Sequence, residues 1–120
     1  MRRTATVVIV LLSLVSMLGR LYAEPITVTG QLIDLACYIV DKSNTGNAHK
    51  GKGKNCARAC AAEGFPVGVL TTDGTVYHVT GDLTAHSNAK LIPHMGQNVT
   101  ITGEVKNEGD QLFLAATELK

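Results

Sequence analysis

Polar and apolar positions alternate through residues 26–40 (ITVTGQLIDLACYIV), and the run is rich in β-branched residues. That period of two predicts one long strand, or two strands joined at Gly30. A polar, glycine-rich stretch follows over residues 41–54. Residues 55–63 then place alanine at four positions (57, 59, 61 and 62) and form the one good helix former in the middle of the chain. Asn55 can cap its start, and Gly64 can end it as the first residue past the helix. Residues 67–72 and 75–80 are short β-type runs separated by Asp73-Gly74, a pair that tolerates positive φ and predicts a tight hairpin. Residues 81–93 show neither period and read as irregular, with one helical turn near residues 85–91. Residues 98–106 and 111–119 predict a second hairpin across Asn107-Glu108-Gly109-Asp110.

These elements amount to about five strands and one short α-helix. A mainly β chain of this kind is expected to close into a small five-stranded antiparallel barrel, because closure removes exposed strand edges. Two segments echo one another, Thr27-Val28-Thr29-Gly30-Gln31 and Ile101-Thr102-Gly103-Glu104-Val105. In each, glycine follows threonine in mid-strand, where it commonly marks a bend or bulge in a coiled barrel strand.

The first 23 residues follow different rules. Met1-Arg2-Arg3 is a basic start, residues 6–18 form an uncharged apolar run, and Leu21-Tyr22-Ala23 places a small residue before Glu24-Pro25. This is the layout of a secretory signal peptide, 1–23, and predicts a periplasmic or secreted protein. The apolar run is shorter than the roughly twenty residues a membrane span needs, so no stable span is expected once it is cleaved. Residues 24–120 then make one domain, large enough to fold around a single core. Three arginines leave with the leader, so eight basic residues face ten acidic ones, a net charge of about −2. Such a balance gives no electrostatic case for a nucleic-acid partner. With no tryptophan, and only Tyr38, Phe65, Tyr77 and Phe113 as aromatics, the core must be built from Val, Leu and Ile. Stacking platforms for single strands are also lacking.

The chemistry concentrates in three cysteines. Cys56 and Cys60 are four apart in the predicted helix, so their thiols share one face. Cys37 ends the first apolar run. Together with His49 from the polar stretch they offer three sulfurs and one nitrogen, a set suited to Cu(I) or Zn(II). Asp34 is read as a cap or loop anchor, since three residues away along a strand it would face the other side from Cys37. A disulfide drawn from Cys37, Cys56 and Cys60 is the alternative, as exported domains commonly use such staples. A third possibility is a reactive thiol, with Cys56 at a helix start flanked by Lys54 and Arg58.

The run His49-Lys50-Gly51-Lys52-Gly53-Lys54 admits two readings, a solvated loop or an anion grip formed by Lys50, Lys52 and Lys54. It lacks the full phosphate-loop motif. No haem-attachment motif, Ser-His-Asp signature or paired carboxylates stand out, so the sequence favours binding over enzymatic catalysis.

Val28-Thr29-Gly30, Asp34-Leu35-Ala36-Cys37-Tyr38, Cys56-Ala57-Arg58-Ala59-Cys60, Gly64-Phe65-Pro66-Val67-Gly68-Val69-Leu70 and Thr102-Gly103-Glu104-Val105 form a pattern spanning nearly all of residues 24–120. It resembles a group of small exported bacterial proteins with an oligonucleotide/oligosaccharide-binding (OB)-like barrel. The resemblance implies that fold, an exported location and a shared cysteine site. It implies little about activity. The family pattern places a histidine three residues before the first helix cysteine, where this chain has Gly53, the nearest histidine upstream being His49. The expectation is therefore an exported OB-like barrel whose loop–helix segment, residues 41–64, holds a Cu or Zn ion. The competing classes are a thiol-redox protein and a disulfide-stapled interaction domain, with an unknown periplasmic protein as the partner if no metal is bound.

Overall fold

A computed structural model describes residues 24–120; the predicted signal peptide lies outside the described residues. Strands β1 (Ile26–Asp34), β2 (Val67–Leu70), β3 (Val76–Thr80), β4 (Asn98–Glu108) and β5 (Gln111–Leu119) close in the order β1-β2-β3-β5-β4. The fold is the expected OB-like barrel. Four pairings are antiparallel, whereas β3 and β5 run parallel, Tyr77 opposite Leu112 through Thr80 opposite Ala115. A parallel neighbour needs a long crossover. Residues 81–97 and strand β4 supply it, which is why the irregular segment exists.

β1 serves two neighbours. Its first part, Ile26 to Gln31, pairs with β4, and its last part, Gln31 to Asp34, pairs with β2. Gly30 sits at the changeover, where a Cβ would collide with the Leu70 carbonyl oxygen. Gly103 stands at a register shift in β4, and a Cβ there would collide with the Ala115 carbonyl oxygen. The paired Thr-Gly segments thus mark the two close backbone approaches that let the barrel coil.

The chain departs from expectation after Asp34. Residues 35–40 are not strand but a short helix, α1 (Leu35–Val40). Asp34 is its N-cap, its Oδ1 accepting from the backbone N–H of Ala36 and Cys37 at 3.0 and 3.4 Å. That cap outcompetes the β-branched pattern because it satisfies amides that a helix start leaves orphaned. Leu35 then packs where Gly68 has no side chain, with the Leu35 Cδ2 2.7 Å from where a Cβ on Gly68 would lie.

The second helix, α2 (Cys56–Ala62), forms where alanine predicted it and ends with Gly64 at φ 87°. Ala57 and Ala61, one turn apart, are buried in the core beside Leu91 and Met95. Small side chains let the helix approach closely. The remaining core is Val28, Leu32, Val67, Val69, Val79, Leu83, Val99, Ile101, Leu114 and Ala116, aliphatic as composition requires. Among the described residues no helix is long and apolar enough to cross a membrane.

Gly30→Ala and Gly103→Ala should each destabilise the domain by about 1–3 kcal/mol, the usual range for forced overpacking. Gly46→Ala should be near neutral, since its Cβ would meet nothing closer than 3.9 Å. Thermal denaturation of the three variants checks this.

Candidate metal centre

The cap that creates α1 also builds a site. Asp34, Cys37 and His49 are all buried, with relative exposures of 1%, 7% and 4%. One ligand atom from each of Asp34, Cys37, His49 and Cys56 lies within 4.8 Å of the others. Around a tetrahedral zinc, bonds of 2.0–2.3 Å put ligand atoms about 3.3–3.8 Å apart. The group would need to contract by about 1.5 Å at most.

Each member is held by its own local reason. With α1 helical rather than extended, Asp34 and Cys37 are three apart across a helix start and come to the same side. Asp34 is thus both the predicted cap and a member of the group, a role the strand reading denied it. The D-x-x-C spacing carried that signal once read with helical period. Asp34 Oδ1 serves the cap, while Oδ2 is buried with no hydrogen-bond partner.

His49 is aimed by a tight turn. Its backbone N–H donates to Gly53 O at 3.3 Å, and Lys52 N–H donates to His49 O at 3.0 Å. Gly51 and Gly53 make this possible at φ 75° and 97°. The imidazole Nε2 donates to Gly46 O at 2.9 Å. A carbonyl only accepts, so the proton sits on Nε2 and Nδ1 carries a free lone pair. Nδ1 is buried and has no partner. A histidine anchored through one nitrogen with the other bare is the usual arrangement of a metal ligand.

Cys56 enters from the first turn of α2. The stripe formed by Cys56 and Cys60 lies one residue round from the docked stripe of Ala57 and Ala61, so core packing fixes where the sulfurs point. The start of α2 is not capped by the Asn55 side chain, contrary to expectation. Asn47 does that work from the loop, its Oδ1 accepting from Arg58 N–H and its backbone oxygen from Ala57 N–H, both at 3.0 Å. Asn55 Oδ1 instead accepts from Asn47 Nδ2. Sequence inspection missed Asn47 because a cap eight residues upstream has no local signature.

Cys60 lies outside the four-residue group, one turn along from Cys56. Burial, followed by the Asp34 carboxylate and then Cys56 and Cys37, pushes its thiol up to about 12. Cys37 is raised by burial and by Asp34, with Lys52 opposing. Lys52 Nζ lies 3.9 Å from Cys37 Sγ, while Lys50 and Lys54 are exposed at the loop surface. Burial and the neighbouring Asp34 carboxylate disfavour the thiolate forms here, and a cation in the cluster would offset that penalty.

All three cysteines are free thiols, which corrects the alternative of a disulfide among Cys37, Cys56 and Cys60. No family model, curated protein or solved structure matches this chain. Its chemistry therefore rests on this geometry.

A cavity of about 420 Å³ lies apart from the cluster, lined by Phe65, Val67, Val79, Thr80, Ser87 and Asn88 among others. It contains none of the donor residues. Beside it His86, Ser87 and Asn88 adopt left-handed φ of 55°, 54° and 60°. Buried Asn88 donates through Nδ2 to the Ala61 and Phe65 carbonyls, both at 3.0 Å, and so secures the far end of α2.

Asn47→Ala should cost about 0.5–2 kcal/mol, as loss of a cap does, read by chemical denaturation. In the metal-free protein the Cys60 thiol is raised from 9.0 to about 12. A raised pKa contributes stability that is full below about pH 9 and lost as pH climbs toward about 12. The melting temperature should fall over that window, and less so in Cys60→Ala.

Proposed function

We propose that this protein is an exported metal-binding barrel domain that holds one zinc ion among Asp34, Cys37, His49 and Cys56. The carrying observation is that Asp34 and His49, each with a buried atom lacking a hydrogen-bond partner (Oδ2 and Nδ1), fall in one group with two thiols. An unsatisfied buried polar atom costs about 1–3 kcal/mol. A cation there would satisfy both atoms at once. One carboxylate, one imidazole and two sulfurs make a mixed set that suits zinc, whose ligands include oxygen, nitrogen and sulfur alike.

Cys60 supports a second reading of the same site. Exchanging Asp34 for Cys60 would give three sulfurs and a nitrogen, softer and better matched to Cu(I). Its place on the Cys56 face of α2, and the influence of Asp34, Cys37 and Cys56 on its thiol, favour that exchange. A thiol-redox role has less support, because burial and the Asp34 carboxylate raise the Cys37 and Cys60 thiols, the opposite of the lowering a reactive thiol needs. Export rests on the basic start, the apolar run and Ala23.

Native mass spectrometry of the protein beginning at Glu24 should find one zinc per chain. Cys37→Ser, Cys56→Ser and His49→Ala should each weaken zinc by at least about 100-fold, since even outer-shell changes cost about 10–100-fold. Asp34→Asn is the most telling variant, because asparagine keeps the helix cap while removing the charge. Its affinity should fall while its melting temperature without metal holds or rises. Cys60→Ser should leave zinc untouched and weaken Cu(I). Wild-type zinc affinity in all four ligand variants would overturn the assignment.

A further inference from the structure

Charge is distributed unevenly around the proposed centre. Residues 42–58 carry Lys42, Lys50, Lys52, Lys54 and Arg58 and no acidic residue, while the rest of 24–120 carries ten acidic and three basic residues. The four lysines are exposed. The two ion pairs found among the described residues, Lys106 with Glu108 and Lys120 with Glu118, involve none of them. Asp41, the nearest acidic residue along the chain, is turned to Ser43, accepting from its N–H and hydroxyl at 2.9 and 2.8 Å.

A lysine-rich loop is ordinarily just solvated. Here it borders the proposed metal centre, with Lys52 Nζ 3.9 Å from Cys37 Sγ. A bare divalent ion approaching from that side is repelled, whereas a negatively charged carrier is attracted. At physiological ionic strength the field decays over about 8 Å, so it acts on a carrier that comes into contact. The most exposed large aliphatic side chains among the described residues come just before this segment in the chain. Ile39 and Val40, two and three residues after Cys37 at the end of α1, are 70% and 84% exposed. An apolar centre with a charged rim is the anatomy of a protein contact. A small anionic chelate would have no use for the aliphatic pair.

We infer that the site exchanges its metal with an acidic protein that docks against residues 42–58 and seats apolar side chains on Ile39 and Val40. The charge imbalance and the exposed aliphatic pair together point to this partner. The inference rests on the metal reading proposed above. The basic rim speeds and orients the encounter, and the ligand set decides the final affinity.

The test uses two synthetic peptides with the same pair of histidines and the same pair of leucines, one flanked by glutamates and the other by glutamines. Each is loaded with cobalt(II), whose thiolate absorption band reports arrival at the cysteines. Transfer is timed at low and high salt into the wild-type protein, Lys42→Glu/Lys50→Glu/Lys54→Glu, and Ile39→Ser/Val40→Ser. Comparing variant with wild type for each peptide cancels any difference in how tightly the peptides hold the ion. The charge reversal should slow transfer from the glutamate peptide by about tenfold or more at low salt and leave the glutamine peptide little changed. The serine pair should slow both peptides severalfold, and both variants should still bind one metal per chain at equilibrium. Equal slowing ratios for the two peptides in the charge reversal, or no slowing in either variant, with one metal still bound, would overturn the docking inference and leave the metal reading standing. Failure of the wild-type protein to bind cobalt(II) or zinc from simple salts would overturn the metal reading and this inference with it.

Discussion

The carboxylate of Asp34 decides both the path of the chain and the chemistry of the cluster. One oxygen caps α1, lifting residues 35–40 off the barrel and burying Cys37. The other is left buried and unpartnered, on a residue grouped with two thiols and an imidazole. Without the cap, the β-branched run would favour continued strand, and Cys37 would fall on alternating faces with its neighbours rather than one turn from Asp34. The residue that shapes the backbone here is the same one that leaves the site incomplete in protein atoms alone.

The second wall of the site depends on small residues. Ala57 and Ala61 let α2 lie close against Leu91 and Met95, and that seat fixes the direction of Cys56 and Cys60. Asn47 at one end and Asn88 at the other hold the helix through its exposed amides and last carbonyls. Gly96 has room for no side chain, its Cβ position lying 2.6 Å from the Asn47 nitrogen, so the loop is packed down onto the barrel. The stretch that looks flexible by composition is a strap whose glycines serve turns.

Placing two thiols, a carboxylate and an imidazole in one buried group costs stability. Burial and like charge push the Cys37 and Cys60 thiols upward, and two polar atoms have no partner. A fold selected only for stability would fill this space with aliphatic side chains, as it does throughout the rest of the core. The contrast between the dry Val/Leu/Ile interior and this polar pocket is what sets the loop–helix segment apart.

The sequence alone determined the barrel. Period-two alternation, the Asp73-Gly74 turn and the late hairpin are local signals, and the mid-strand glycines Gly30 and Gly103 announced the close approaches that closure requires. The alanine-rich helix was legible for the same reason. The tertiary structure decided the rest. A β-branched run and a helix cap compete at residues 34–40, and only the packing of Leu35 over Gly68 settles it for helix. The parallel β3–β5 pair depends on a crossover that no short-range pattern specifies. Of the cluster, the sequence singled out Cys37, Cys56, Cys60 and His49, but Asp34 joins through a helical spacing that was masked by strand periodicity, and Asn47 acts across a loop. Contacts between residues distant along the chain leave no period to read, because they are fixed by how the elements pack and not by their neighbours in sequence.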